Sequence, residues 1–357
     1  MGAAPLNADR QVLEVSMSAI DLFSGAGGLT LGLQQAGFQV LAGVEIDSLA
    51  AESYRLNHPD SMLVEQDIRE VDPSVLMTSL GLRPGELDLL AGCPPCQGFS
   101  SIRTRRRGTV EDSRNDLLFQ FVRFVDAFRP RALLMENVPG LAVDARLGSL
   151  VRRLRHRGYR MRWSVVDAAE HGVPQRRRRL VMIGSRIGKV AWPEPSKQRR
   201  TVSDAIGHLA APGESGDALH DLIEKRSDRI GLLIAAIPPN GGSREDLPPD
   251  QRLACHVRTR GFFDVYGRMR WSDVSPTITG GCVNPSKGRF LHPDQNRAIT
   301  LREAALLQSF PEDYQFSLRR GKYAAAEMIG NALPPEFVRN HAVQIAQALS
   351  QVGETHG

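Results

Sequence analysis

The stretch GCPPCQGFS, residues 92–100, is the sequence feature that most restricts how this chain can fold. It follows the apolar run LDLLA, residues 87–91, which predicts a buried strand. The adjacent Pro94 and Pro95 remove two backbone donors and fix two φ angles, so the strand cannot continue. Cys96 is therefore expected on a stiff turn just beyond a strand, where ligands bind in open α/β sheets.

A thiol in this position has more than one interpretation. Four arginines fall within residues 103–107, and positive charge lowers a thiol pKa, which favours a nucleophile. Alternatively, Cys93 and Cys96 form a CxxC redox pair or half of a zinc site. A zinc site needs two further ligands at suitable spacing, whereas Cys255 and Cys282 lie far apart in the chain. We therefore expect no metal.

The distribution of charge indicates a polyanionic partner. The formal net charge is +5 and the pI is about 9.2, and the arginines cluster in residues 103–107, 152–162 and 176–179. Clustered arginine is typical of phosphate contacts and hence of nucleic-acid binding. The alternative is a basic face that only meets solvent.

The remaining composition bears on location. Four cysteines in 357 residues favour a reducing compartment. No run approaches the roughly 18 apolar residues that a membrane span needs. The first residues lack a basic start and an apolar core, so no secretory signal is visible. We expect a cytoplasmic protein without membrane contact.

The beginning of the chain reads as strand, glycine loop and helix. Residues 17–23 predict a buried strand, and the loop after it contains Gly25, Gly27 and Gly28. This unit presents backbone amides to a ligand at a helix N-terminus. A dinucleotide fingerprint would have glycine where Thr30 stands, so a nucleoside without a pyrophosphate fits better.

Two acids follow at the ends of the next strands. Glu45 ends the second strand, twenty positions after Gly25, where an acid typically accepts from ribose hydroxyls. Asp67 ends the third and is a candidate acceptor from an adenine amino group. For either acid alone, a helix cap or a surface role is the alternative.

These units and the strand before Cys96 predict a parallel sheet covered by helices on both faces. A helix with apolar side chains at Leu117, Phe121, Phe124 and Phe128 follows. A fifth strand ends at Glu136, a candidate acid near Cys96. Residues 159–185 predict two more strands joined by a turn.

The composition changes after the last of these strands. Residues 187–267 are rich in proline and turn formers, which predicts a hinge and a separate small domain. Residues 1–16 show no pattern and are expected to be a loose arm. The chain ends in an amphipathic helix, and Asn331 is expected at the start of this helix.

Taken together, the motifs occur in an order that resembles the bacterial DNA (cytosine-5)-methyltransferases, from Ala19 to the last helix. The matching segments are DLFSGAGG (21–28), VEID (44–47), QDI (66–68), GCPPCQGFS (92–100), DSRN (112–115), ENVPG (136–140), GVPQRRRRLVMIG (172–184), SPTITGG (275–281), ITLREAALLQSFP (299–311) and IGNALPPEF (329–337). The resemblance implies an α/β fold with a Rossmann-like S-adenosylmethionine-dependent methyltransferase sheet and a smaller target-recognition domain. It places the catalytic and cofactor-binding domain at 17–186, completed by 324–357, and the target-recognition domain and hinge at 187–323.

The resemblance also implies roles for individual residues. Cys96 of Pro-Cys-Gln is similar to the nucleophile, and Glu136 to the acid that engages the cytosine ring. Arg177 and Arg179 are similar to residues on the cytosine side, with Arg179 as the better candidate for base contact. The residues similar to cofactor contacts are Phe23, Gly25, Gly27, Glu45, Asp67, Ile68 and Asn331. The run 176–179 lacks the acid usual in the family, so Glu136 or phosphate must relieve its repulsion.

The chemistry implied is covalent catalysis. A thiolate that adds to carbon-6 of cytosine makes carbon-5 nucleophilic towards the sulfonium methyl group. Protonation or a strong hydrogen bond at ring nitrogen-3 assists this, and Glu136 can supply it if burial raises its pKa. Arg179 can stabilise the ring carbonyl. The base must leave the duplex stack, and residues 100–115 are expected to form a mobile loop that closes over it.

The expected partners follow from this resemblance. They are double-stranded DNA and, within a restriction-modification system, a cognate endonuclease that acts on the same site. The protein is expected to be a nucleoid-associated monomer. The alternatives are an RNA cytosine-5 methyltransferase and a catalytically silent DNA-binding regulator, although intact Cys96, Glu136 and Arg179 argue against the latter.

Overall fold

The computed structural model describes residues 17–95, 117–223, 226–258 and 263–354. Cys96, the loop 100–115 and the N-terminal arm 1–16 lie outside the described residues. The expectations about them therefore remain predictions.

A seven-stranded sheet forms the centre of the molecule. Its strands are β1 (Met17–Leu22), β2 (Phe38–Glu45), β3 (Met62–Glu65), β4 (Leu89–Gly92), β5 (Ala132–Asn137), β6 (Arg160–Asp167) and β7 (Arg178–Ser185). Their spatial order is β3-β2-β1-β4-β5-β7-β6. The first five strands are parallel, which confirms the predicted sheet. The strand β7 is antiparallel to both β5 and β6, so the complete sheet is mixed.

The parallel strands end at one rim of the sheet, which we call the carboxyl rim. Glu45 and Asn137 are the last residues of β2 and β5, and Gly92 is the last residue of β4. Because β7 runs in the opposite direction, it begins at this rim with Arg178. The carboxyl rim therefore gathers most of the motifs, although they are far apart in sequence.

Five helices connect the first six strands or flank them. They are α1 (Gly28–Gln35), α2 (Ser48–Asn57), α3 (Pro73–Ser79), α4 (Leu117–Phe128) and α5 (Ala145–His156). Asp47, Asp72 and Asp144 precede α2, α3 and α5, and each side chain accepts hydrogen bonds from amides of the first turn. These caps satisfy donors that have no partner within the helix, so they fix where each helix begins.

Both faces of the sheet are covered. Phe121, Phe124 and Phe128 of α4 are fully buried in one apolar cluster with α5 and with the strand side chains of that face. The opposite face packs against α1 and the C-terminal helix α12 (Pro335–Glu354). Gly32 of α1 lies so close to α12 that an added Cβ would be 2.4 Å from Cβ of Val338.

The second half of the chain is helical and irregular. Its other helices are α6 (Val202–Ile206), α7 (Ala218–Asp221), α8 (Asp228–Ala236), α9 (Ala254–Arg258), α10 (Leu301–Leu307) and α11 (Gly321–Asn331). In the described part of residues 187–354 only isolated bridges pair backbone segments. Asn331, expected at the start of the final helix, instead ends α11. Pro334 and Pro335 explain this, because proline interrupts a helix but suits the first turn of the next one.

A small apolar cluster in this half surrounds a buried arginine. Leu233, Ile234 and Leu291 belong to the cluster. Arg268 is 1% exposed, and its guanidinium donates to several backbone carbonyls, among them that of Ile237 at 3.1 Å. These bonds stabilise a region with little regular structure. Among the described residues, no helix combines the length and apolarity that crossing a membrane demands.

Candidate active site

The glycine loop after β1 adopts a strained backbone. Phe23 has a φ of 63°, in the left-handed region that residues other than glycine seldom enter. The amide of Ser24 donates to the carbonyl of Val44 at 3.0 Å and ties the loop to β2. Gly25 has a φ of 56°, and a Cβ added there would meet no atom within 4 Å. The loop is thus open on the side of Gly25.

Gly27 is required for a different reason. A Cβ at this position would lie 2.3 Å from Nε2 of His58, and its φ is 95°. His58 Nε2 lies 3.0 Å from the hydroxyl of Tyr314, which donates to the carbonyl of Ala26 at 2.5 Å. Burial lowers the pKa of His58 to about 4. The neutral imidazole of His58 and the hydroxyl of Tyr314, which is far away in sequence, therefore stabilise the glycine loop. Sequence analysis identified neither residue.

Glu45 is held by backbone amides at the carboxyl rim. Its Oε2 accepts from the amide of Gly25 at 2.8 Å, and Oε1 accepts from those of Ile46 and Asp47. Burial raises its pKa, and these hydrogen bonds oppose the shift. A carboxylate has about four acceptor positions, so one stays available to a ligand hydroxyl. Ile46 is 63% exposed beside it and offers an apolar contact that sequence analysis did not identify.

Asp67 and Ile68 follow β3 at the same rim. The guanidinium of Arg69 donates to both carboxylate oxygens of Asp67, and this hydrogen bonding lowers the pKa of Asp67. Ile68 is buried, and its carbonyl accepts from Arg123. Asp67 therefore already has a cationic partner.

A buried carboxylic acid lies beneath the loop. Asp21 is completely buried, and its Oδ2 accepts from the hydroxyl of Thr30 at 2.7 Å. The hydroxyls of Thr30 and Tyr54 are 3.2 Å apart. Burial raises the pKa of Asp21 to about 8. Thr30, which occupies the third glycine position of a dinucleotide fingerprint, thus anchors the acid.

Glu136 forms the centre of the site at the end of β5. Its Oε1 lies 2.8 Å from Nε of Arg179, and the thiol of Cys93 hydrogen-bonds to its carboxylate. Burial raises the pKa of Glu136, and the charges of Arg179 and Arg177 oppose this. Burial and the charge of Glu136 raise the pKa of Cys93 well above its usual value. Cys93 is therefore a half-buried thiol rather than a thiolate, and it lies beside the acid.

Asn137 connects the end of β5 to the turn that precedes Cys96. Its side-chain amide donates to the carbonyl of Pro94 at 2.9 Å, and its Oδ1 accepts from the amide of Val138. Asn137 is 4% exposed. A buried bond to Pro94 fixes the chain two residues before Cys96, so this side chain positions the turn.

The arginine run alternates along β7 and the segment before it. Arg176 and Arg178 are exposed, whereas Arg177 is buried and Arg179 is half-buried. The guanidinium of Arg177 donates to the carbonyls of Ile278 at 3.0 Å and Gly330 at 3.1 Å. Burial lowers its pKa to about 9, and the charge of Arg179 acts in the same direction. Carbonyls thus partner Arg177, while a carboxylate partners Arg179.

Two glutamines join the same segments. Gln175 is fully buried, and its Oε1 accepts from the amide of Ile278 at 2.9 Å. Its Nε2 donates to Oε1 of Gln308 at 2.8 Å. Gln308 in turn donates to the carbonyls of Ile329 and Ala332. The two contacts of Gln175 join residues more than 100 positions apart, and they gave no sequence signal beyond the motifs themselves.

The structure brings Glu136, Arg179 and Arg177 together, and it places Glu45 and the Gly25 loop at the same rim. Asn331 is exposed at the end of α11, next to the Gly330 carbonyl that Arg177 binds. Among the described residues, no cluster of three or more histidine, cysteine or acidic side chains could hold a metal ion.

Comparison with known proteins relates this arrangement to one family. Residues 17–347 match the family model described as "C-5 cytosine-specific DNA methylase". The Type II methyltransferase M1.HphI of Haemophilus parahaemolyticus is 36% identical over 328 residues, which cover 90% of this chain and 84% of that protein. The Type II methylase M.HgiDII of Herpetosiphon aurantiacus is also 36% identical, and the match covers 94% of this chain and 97% of the relative.

A solved structure shares the fold. It is a DNA modification methyltransferase encoded within a prophage (E. coli), with a TM-score of 0.73 and 24% identity. The match covers 94% of this chain and 100% of the other.

Proposed function

The chain belongs to the C-5 cytosine-specific DNA methylases, and from this premise we propose how its own residues carry out the reaction. The protein is a DNA (cytosine-5)-methyltransferase that methylates cytosine in DNA. We assign the nucleophile to Cys96, the acid to Glu136 and the contact with the base to Arg179. The observation that carries this assignment is the Glu136–Arg179 pair beside the turn that leads to Cys96.

The methyl donor we propose is S-adenosylmethionine. Its ribose would bind the remaining acceptor position of Glu45, and its adenine would lie between Ile46 and the Asp67–Ile68 segment. The strained backbone of Phe23 and Gly25 and the open space at Gly25 suit close approach of a ligand. Gly27 and Asn331 complete the proposed set. When bound, the donor supplies an electrophilic methyl group.

The proposed chemistry starts from the pair at the end of β5. Glu136 has a raised pKa and can hold a proton for ring nitrogen-3 of a flipped-out cytosine. The guanidinium of Arg179 lies beside the carboxylate of Glu136 and can donate a hydrogen bond to the carbonyl of the cytosine ring. The thiolate of Cys96 adds to carbon-6, carbon-5 takes the methyl group, and loss of the carbon-5 proton releases the thiolate. We leave the base for that last proton unassigned.

Arg177 has a different proposed role from the one implied by resemblance alone. Its guanidinium is occupied by the carbonyls of Ile278 and Gly330, so it holds the segments around them against β7. It then contributes to the site through the field it exerts on Glu136 and through the position of Asn331.

The cellular setting is also a proposal. Both relatives described above are named Type II enzymes, which supports a role in a restriction-modification system with a cognate endonuclease. We propose a cytoplasmic, nucleoid-associated monomer, in which residues 187–323 recognise the target sequence. Residues 17–186 and 324–357 would form the catalytic and cofactor-binding domain.

One experiment tests the activity and its substrate. Purified protein is incubated with S-adenosylmethionine that carries a tritiated methyl group and with either genomic DNA or transfer RNA. We expect label in 5-methylcytosine of DNA only, and bisulfite sequencing of the product then gives the recognised sequence. Label in RNA alone would replace the proposal with the RNA methyltransferase alternative, and binding without transfer would support a silent regulator.

A further inference from the structure

A basic pocket lies at the rim of the sheet opposite the carboxyl rim, and the methyl-transfer reaction does not use it. The cavity has a volume of about 190 Å³. Arg160 and Arg162 of β6, Lys189 in the segment after β7, and Trp192 line it. Arg160 pairs in register with Ser185, the last residue of β7, so the pocket is at the far end of the outermost strands.

The side chains of this pocket are arranged for an anion. Arg160 and Arg162 are two positions apart on an edge strand, so they project from the same face. The guanidinium of Arg162 lies 5.5 Å from the ring centroid of Trp192 and donates to the carbonyl of Val190 at 3.3 Å. Such contacts hold an arginine in place at the surface.

The β6 end of the pocket belongs to an arginine-rich segment of the chain. Residues 145–162 contain seven arginines and no aspartate or glutamate. Of these arginines, Arg146 pairs with Asp144 and Arg157 pairs with Asp126. Within the described parts of the chain, neither the β6 arginines of the pocket nor Lys189 forms an ion pair. A concentrated positive potential therefore remains at this edge.

Protection of the sheet edge explains only part of this arrangement. Charged side chains on an edge strand prevent pairing with another sheet. That purpose needs neither a concave cavity nor a lysine from a neighbouring segment. It also does not need an arginine that is ordered over Trp192.

We propose that this basic pocket binds a backbone phosphate of a second segment of double-stranded DNA while the carboxyl rim holds the target segment. Arginine forks match phosphate geometry. The six residues Ala132–Asn137 of β5 separate the two rims by roughly 17–20 Å at about 3.3 Å per residue. A short duplex at the carboxyl rim cannot bend around the sheet, because DNA is stiff below about 150 base pairs.

This inference rests on the proposed function, since it takes DNA as the substrate at the carboxyl rim. The consequence is that the protein can move from one DNA segment to another without releasing DNA completely. The pocket should therefore matter for long DNA, in which a second segment is available, and not for a short duplex.

The test uses two variants with the same change of charge. The double variant Arg160→Glu/Lys189→Glu reverses two charges of the pocket, and the edge strand still carries charged side chains. Arg55→Glu/Arg83→Glu reverses two exposed cations near the opposite edge of the sheet, beside β3 and after α3. Each variant is assayed on plasmid DNA and on a duplex of about 20 base pairs containing the site established by bisulfite sequencing, well below the stiffness limit.

We expect the pocket variant to methylate the short duplex within about twofold of wild type and the plasmid about tenfold more slowly at moderate salt. Its salt dependence on the plasmid should weaken by about 1 in logarithmic slope, because one phosphate contact contributes about 0.9. The control variant should retain the wild-type ratio of plasmid to short-duplex rates. Activity of wild type on the short duplex tests the proposed function separately.

Three results would overturn the inference. One is equal plasmid rates for the two variants. Another is a loss on the short duplex as large as that on the plasmid, which would place the pocket on the path of the target segment. The third is saturable binding of inorganic phosphate, lost in the pocket variant, without any effect on plasmid methylation, which would identify a site for a free anion.

Discussion

At the scale of single residues, Glu136 combines burial with a cationic partner. Burial disfavours its charged form and raises its pKa, while the guanidinium of Arg179 at 2.8 Å limits the rise. The carboxyl group of Glu136 can therefore keep its proton at a higher pH than a glutamic acid in water. The ion pair also relieves part of the repulsion expected among the four arginines of residues 176–179.

Substitution of Glu136→Gln should slow single-turnover methyl transfer by about 10²–10⁴-fold, the usual contribution of a general acid. The wild-type rate should fall as pH rises through the raised pKa of Glu136, and the glutamine variant should lack that dependence. Glu170, a half-buried acid in the helical turn that follows β6, gives the matched control Glu170→Gln, whose rate should stay within about twofold of wild type. Equal rates for wild type and Glu136→Gln would remove this residue from the mechanism.

Asp21 gives a prediction for stability. Its pKa rises from 3.8 to about 8 on folding, chiefly because the carboxyl is buried. The folded state therefore binds more protons between these values, so this contribution is complete below pH 4 and is lost as pH rises to about 8. The free energy of unfolding should decline by up to about 1.4 kcal/mol per pH unit from this group.

Urea unfolding from pH 5 to pH 8 measures this dependence. Asp21→Asn should flatten it, whereas the exposed Asp60→Asn should leave it unchanged. The same slope in the Asp21→Asn variant and in wild type would show that Asp21 is ionised in the folded protein.

Sequence reasoning placed Glu136 and Glu45 at strand ends, and the resemblance alone selected Arg179. The structure places all three at the carboxyl rim. Sequence reasoning did not identify His58 and Tyr314 as the residues that stabilise the glycine loop. Tyr314 meets Ala26 across 288 positions, and no local pattern reports such a contact. It also could not distinguish the carbonyl-bound environment of Arg177 from that of Arg179, since both lie in one run of like residues.

At the scale of secondary-structure elements, the periodicity predicted β1 to β5 and α4 correctly. The insertion of β7 between β5 and β6 was not predicted, because an apolar run has the same pattern in either direction and in either order. The break between α11 and α12 was missed although Pro334 and Pro335 mark it. The pattern of apolar positions alone does not separate these two helices, whereas the two prolines do.

The contact between α1 and α12 offers a test at this scale. A Cβ at Gly32 would lie 2.4 Å from Cβ of Val338 and 2.5 Å from the carbonyl of Pro335, so the helices must separate. Gly32→Ala should destabilise the fold by about 1–3 kcal/mol, as overpacking does, and weaken S-adenosylmethionine binding, because α1 follows the glycine loop.

The control is Gly231→Ala in α8, where an added Cβ meets nothing within 4 Å. It should be neutral or stabilising by up to about 1 kcal/mol, as alanine favours helix. Denaturant unfolding and calorimetric titration of S-adenosylmethionine measure both effects. If Gly32→Ala unfolds like wild type and binds with full affinity, the close packing of α1 on α12 has no role in the cofactor site.

At the scale of the whole molecule, regular secondary structure is unevenly distributed along the chain. The sheet and its helices carry the chemical motifs, whereas the described part of residues 195–266 consists of short helices and loops. Base-edge contacts specify sequence, while phosphate contacts position the protein. We therefore expect sequence preference to depend on the second region and chemistry on the first.

Exchange of residues 195–266 for the equivalent segment of a relative should change the methylated sequence and preserve S-adenosylmethionine affinity. Bisulfite sequencing of DNA treated with the hybrid measures the first effect, and calorimetry measures the second. A hybrid that still methylates the parental sequence would place recognition outside this segment.

The central claim is that Cys96, and not Cys93, attacks the base. DNA prepared with 5-fluorocytosine in place of cytosine blocks the final loss of the carbon-5 substituent, so the covalent adduct should accumulate when S-adenosylmethionine is present. Digestion and mass spectrometry should find the modified nucleotide on the peptide that contains Cys96, and Cys96→Ala should abolish it while Cys93→Ala retains it. An adduct on Cys93, or methyl transfer by Cys96→Ala at the wild-type rate, would contradict the account.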